Sequence, residues 1–147
     1  MKIYMDVCCL NRPFDDQTQE RIRLESEAVL AILYRCQMGE WELVGSEAID
    51  LEISKIPDDD KREKVEILYS IAKTKIEVDE EVEKRASELE KLNFKAFDAL
   101  HVACAEKAGA DVMLTTDDRL LRKAVMSKDV LKVKIDNPVN WIMEVFG

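Results

Sequence analysis

The chain has 147 residues, of which 47% are apolar and 36% charged, with only 4 Gly and 3 Pro. That length and balance fit one domain with its own core and exclude a low-complexity or fibrous chain. The formal net charge is −9, from 31 acidic and 22 basic residues, which argues against tight electrostatic binding of nucleic acid without local basic patches or a partner.

Read in order, the chain alternates strand and helix signals. KIYMDV, at the start, is a short β-rich run. Residues 18–38 repeat apolar side chains at helical spacing up to Gly39. WELVGS is a second strand candidate, and SEAIDLEISKI reads as a helix entered through Ser46 and ended by Pro57. DDDKREKVEILYSIAK is a helix with acids at its positive end, TKIEVD a third strand, and DEEVEKRASELEKLN a charged, exposed helix. FKAFDALHVACAEKAG is an apolar-faced helix capped by Gly109. DVMLTT is a fourth strand, apolar as expected for one covered on both faces. DDRLLRKAVM, VLKVKID and NPVNWIMEVF complete the pattern as helix, fifth strand and last helix, with Pro138 near its first position.

Five strands separated by helices predict a single α/β domain over 1–147, a mainly parallel sheet with helices on both faces. No stretch is apolar enough for a membrane span, and MKIYMDVCCL meets an Asp where a signal peptide needs an unbroken apolar run, so a cytoplasmic location is expected. Cys8, Cys9, Cys36 and Cys104 form no C-x-x-C pair, and His101 is the single histidine. Zinc spacing is missing, and small core residues are the expected role.

In such sheets the chemistry sits beyond the C-terminal strand ends, where strand order reverses. Asp6 ends the first strand, Asp117 follows the fourth, Glu52 lies six residues past Ser46, and Asp98 opens the helix leading into the fourth strand. If the first and fourth strands are neighbours, all four acids share one cleft. Carboxylates crowded together repel and raise each other's pKa, and hard oxygen donors suit Mg²⁺ or Mn²⁺. Each acid also has an ordinary reading: Asp117 as a helix cap, Asp98 as a partner of the helix dipole, Glu52 as a solvated helix residue. Asp6 is the hardest to explain that way, because a carboxylate at the mouth of a buried strand needs a partner.

Three segments, YMDVCCLNRPFDD, SEAIDLE and FDALHVACAEKAGADVMLTTDDRLL, resemble in order the PIN-domain family, which includes the VapC-type toxins of toxin–antitoxin pairs. The resemblance implies a Rossmann-like three-layer α/β/α fold and a Mg²⁺- or Mn²⁺-dependent endoribonuclease. It also implies that Asp6, Glu52, Asp98 and Asp117 are catalytic metal ligands, that Thr115 matches the hydroxyl residue near the fourth strand's end, and that a homodimer and a small antitoxin are its partners. Glu47 or Asp50 remains open as a replacement for Glu52, and Asp118 for Asp117. Asn11 or Arg12 in NRPFDDQ forms a rim loop that meets substrate or simply turns the chain, and His101, on the face of Asp98, packs or supports the site. Arg12, Lys95, Arg119, Arg122 and Lys123 are the basic residues expected near the mouth, and Trp41 and Trp141 belong to core or interface.

Two other functions compete. A Mg²⁺-binding phospho-receiver signalling domain would use Asp79 after the third strand, but IDNPVNW offers no Lys after the fifth and Asp98 goes unused. An inert PIN scaffold that binds only RNA or protein would not need all four acids.

Overall fold

The computed structural model describes all residues, Met1–Gly147. Five strands, β1 (Lys2–Met5), β2 (Glu42–Ser46), β3 (Thr74–Ile76), β4 (Val112–Leu114) and β5 (Lys134–Asp136), form one sheet in the order β3-β2-β1-β4-β5, and all four pairings are parallel. Eight helices connect and follow them: α1 (Val7–Asn11), α2 (Glu20–Gln37), α3 (Glu47–Ser54), α4 (Asp59–Tyr69), α5 (Glu80–Glu90), α6 (Ala96–Lys107), α7 (Asp118–Met126) and α8 (Pro138–Phe146). The path steps from β1 to β2 to β3, then crosses back past β1 to β4 and β5. Right-handed crossovers place the helices of the two directions on opposite faces, giving three layers. α2 packs on α8, and α5 packs along α6.

Position in the sheet explains strand composition. Ile3, Tyr4 and Met5 of β1 and all of β4 are buried, because both strands are interior and covered on both faces. The edge strands β3 and β5 have no fully buried residue. The core joins these strands to Val29, Ile32 and Leu33 of α2 and to Ala99, Val102 and Ala103 of α6. Trp41 and Trp141 meet edge to face inside it, 5.1 Å between ring centroids.

Caps set the element boundaries. Ser46 accepts from the Ile49 N–H at 3.1 Å to start α3. Asp79, Asp117 and Asn137 cap α5, α7 and α8 through their side chains. Gly39 and Gly109 end α2 and α6 at φ +83° and +67°, a region that favours glycine.

Two sequence expectations change. NRPFDDQ is only partly a loop: Asn11 ends α1 and Arg12–Phe14 form a 3₁₀ turn with Pro13 near its start, before the chain becomes irregular from Asp15. α5 is not simply exposed, since Val82, Ala86 and Leu89 form a buried stripe that completes the core beside α6.

At Gly45 the chain passes against Tyr69, whose hydroxyl accepts from the Ser46 N–H at 3.1 Å. A β-carbon on Gly45 would lie 2.3 Å from that oxygen. Gly45→Ala is therefore expected to cost about 1–3 kcal/mol in urea unfolding, the range for overpacking a tight site, and Gly45→Ala with Tyr69→Phe should recover part of it.

Candidate metal centre

The order of strands reverses between β1 and β4, and the acids expected there come from the elements that leave this edge. Asp6 follows β1 and is 7% exposed. Its Oδ1 accepts from the Val7 N–H at 2.8 Å, and its Oδ2 from the Thr115 hydroxyl at 2.9 Å and the Cys8 thiol at 3.3 Å. Burial raises the Asp6 pKa and nearby Glu52 raises it further. The charge of His101 and the bonds from Thr115 and Cys8 oppose them, and the net shift is upward.

Glu52 reaches the site from α3. Its Oε1 lies 2.6 Å from His101 Nε2, on α6. Asp6, Glu52 and His101 each offer one ligand atom, and these atoms all lie within 4.8 Å of one another. Asp98, one turn before His101 on α6, has its carboxyl pushed up to about 6 by burial and by the charges of Asp6 and Asp117. Asp117 is more peripheral: it is exposed, and its Oδ1 caps α7 by accepting from the Arg119 and Leu120 N–H groups. Its own N–H donates to Thr115 Oγ1 at 3.2 Å, so Thr115 links Asp6 to Asp117.

The structure thus draws Asp6, Glu52 and His101 into one tight group, sets Asp98 in its electrostatic range, and places Asp117 in range of Asp98. Crowded carboxylates of which Asp6 and Asp98 are pushed upward by burial and by neighbouring acids fit a divalent cation, whose charge removes the repulsion. For His101, burial opposes protonation, but the Glu52 hydrogen bond and the charges of Asp6, Glu52 and Asp98 outweigh it and shift the ring upward.

A family model described as PIN domain matches residues 3–126. The chain belongs to the PIN-domain family. A solved structure, the crystal structure of VapBC2 from Rickettsia felis bound to a DNA fragment from their promoter, contains a chain similar at TM-score 0.61 and 14% identity, over 93% of this chain and 98% of that one. No curated protein matches.

Within this PIN domain the competing acids have other partners. Glu47 accepts from the Val78 N–H at 2.6 Å, Asp50 pairs with Lys75 at 3.1 Å, and Asp118 takes both terminal nitrogens of Arg21 at 2.8 Å. Asp79 caps α5 beyond the edge strand β3, two strands away from β1, which removes the geometry a receiver domain needs. Arg12 is likewise committed, to Glu25 at 2.8 Å and Asp15 at 3.1 Å, and is not free at the rim.

Glu25 was not legible as a special residue among the acids of α2. It is 2% exposed, and it binds Arg12, Arg21 at 3.2 Å and the Asn137 amide at 2.7 Å. It therefore fastens the segments after β1 and β5, while Arg21 also holds the Thr116 carbonyl after β4 at 3.0 Å. Its sequence signal is slight: Arg21 stands four residues before it.

Two outcomes follow. Glu25→Ala removes the buried acid shared by Arg12, Arg21 and the Asn137 amide, leaving Arg12 to Asp15 and Arg21 to Asp118, and should lower stability by roughly 1–3 kcal/mol in urea unfolding, the range for leaving buried donors unpaired. Asp98 in the folded protein keeps its proton up to about 6, against 3.8 ordinarily. The folded state is therefore penalised above that range and relieved as pH falls from about 6 towards 3.8. In metal-free buffer at about pH 7.5, Asp98→Asn should raise stability by about 1 kcal/mol, solvent screening of a partly exposed carboxyl having reduced the effect. The gain should shrink as the pH is lowered through that window, as thermal melts at several pH values would record.

Proposed function

We propose that this PIN domain is a divalent-metal-dependent endoribonuclease that hydrolyses RNA phosphodiester bonds, with Asp6, Glu52, Asp98 and Asp117 as its metal-binding and catalytic residues. The observation that carries the reading is the convergence of Asp6 and Glu52, with Asp98 in electrostatic range and Asp117 in range of Asp98, beyond the point where strand order reverses. A bound Mg²⁺ or Mn²⁺ would supply a Lewis acid that lowers the pKa of water and neutralises charge building on a phosphodiester.

The chain's own residues prepare the pocket. Thr115 and Cys8 hold one oxygen of Asp6 and the Val7 N–H holds the other, so the carboxylate is oriented in advance. Thr115 also fixes the backbone that carries Asp117. Lys95, whose charge lowers the pKa of Asp98, and Arg119, exposed beside Asp117, are suited to RNA phosphates. With a net charge of −9, affinity for RNA rests on such local contacts and should fall with salt.

The likeness to a chain of the Rickettsia felis VapBC2 structure supports a toxin of a toxin–antitoxin pair with an antitoxin partner; a homodimer acting in the cytoplasm is part of the same proposal. No helix is long and apolar enough to cross a membrane.

Asp6→Asn, or removal of divalent cations by EDTA, is expected to reduce cleavage of a labelled RNA by more than roughly 100-fold, beyond the usual cost of losing an outer-shell partner. Circular dichroism should show the fold retained, and added Mn²⁺ should restore the wild type only. Asp118→Asn and Glu47→Gln should cleave at near wild-type rates. Undiminished cleavage by Asp6→Asn would sink the assignment.

A further inference from the structure

Tyr4 lies in the central strand, fully buried, and its hydroxyl is 2.7 Å from Ser46 Oγ and 2.7 Å from His101 Nδ1. The other ring nitrogen of His101 is 2.6 Å from Glu52. Ser46, Tyr4 and His101 are all at most 1% exposed. β2, β1, α6 and α3 are thereby joined by one line of polar atoms through the core.

The donors on this line can be assigned. Glu52 as a carboxylate only accepts, so His101 Nε2 must carry a proton; a bare lone pair facing a carboxylate at this distance would be repelled. Ser46 Oγ already accepts from the Ile49 N–H, which leaves its hydroxyl hydrogen free for Tyr4. Tyr4 then donates to His101 Nδ1, and Nε2–H donates to Glu52. Every acceptor is filled and every hydrogen is used. Should the ring take a second proton, the Ser46–Tyr4 segment reverses, but Nε2–H still points at Glu52.

We propose that Ser46, Tyr4 and His101 form a directional hydrogen-bond chain that aims Glu52 into the acid pocket, and that His101 is a positioning residue and neither a metal ligand nor a general base. Both ring nitrogens are engaged, so direct coordination would require His101 to release Glu52. Glu52 is about one-third exposed on a helix of only eight residues, and its carboxylate has no other hydrogen-bond donor on the protein. Removing the imidazole would free its side-chain rotamers and cost the pocket a pre-set ligand. Tyr4 prevents the ring from flipping by giving Nδ1 a donor.

This inference rests on reading Glu52 as a ligand. The first test is ¹⁵N NMR of histidine-labelled protein, without metal and loaded with Mg²⁺. A protonated Nε2 is expected in both, and an unprotonated or metal-coordinated Nε2 overturns the proposal. The second is Mn²⁺ titration by calorimetry. His101→Ala should weaken Mn²⁺ binding by about 10–100-fold, the range for losing the partner that orients a ligand. His101→Gln, which restores an N–H towards Glu52, should recover much of it, and Tyr4→Phe should weaken binding several-fold while keeping the ring that packs the core. Wild-type affinity in His101→Ala, or equal losses in the Ala and Gln variants, overturns the chain alone. Wild-type protein that binds no divalent cation would instead remove the metal-centre reading beneath it.

Discussion

A carboxylate placed at the mouth of a buried parallel strand is the constraint around which this molecule is arranged. Asp6 leaves water almost completely, and burial alone would force it neutral. The protein opposes this with donors, Thr115, Cys8 and the Val7 N–H, and with the nearby charge of His101. Those contacts do not remove the repulsion from Glu52, nor that which Asp98 feels from Asp6 and Asp117. The pocket is stable enough to persist because the central strands beneath it are apolar and covered on both faces, and its residual strain is electrostatic rather than steric.

Rigidity at the rim comes from a second buried acid, and its treatment differs. Glu25 is compensated fully by two arginines and an amide, so it holds segments together and is closed to ligands. Asp6 is compensated only in part. The contrast separates an acid that stabilises architecture from one that leaves charge to be met from outside.

The charge distribution has the same logic. Two arginines close to the rim are spent on neighbouring acids: Arg12 on Glu25 and Asp15, Arg21 on Glu25 and Asp118. Positive charge left for a polyanion is sparse, in keeping with a chain of net charge −9. Specificity in such a protein depends on placement of a few groups more than on a broad basic surface.

Local pattern was enough for the elements and the ends of the acids' supporting strands. Ser46, Asp117, Pro138 and Gly109 mark boundaries through capping chemistry that acts within a few residues, so the α/β alternation and the positions of Asp6, Glu52, Asp98 and Asp117 could be read from neighbours in sequence. Asp6 also announced itself by following an apolar strand. What the chain order could not reveal was pairing across distance. That β1 lies beside β4, that Asp118 and Glu47 are drawn away by Arg21 and the Val78 amide, that Glu25 is buried, and that His101 is suspended between Tyr4 and Glu52 all depend on contacts spanning from 31 to 112 residues. A carboxylate looks the same in sequence whether it meets water, an arginine or an imidazole, and only packing decides which partner it meets.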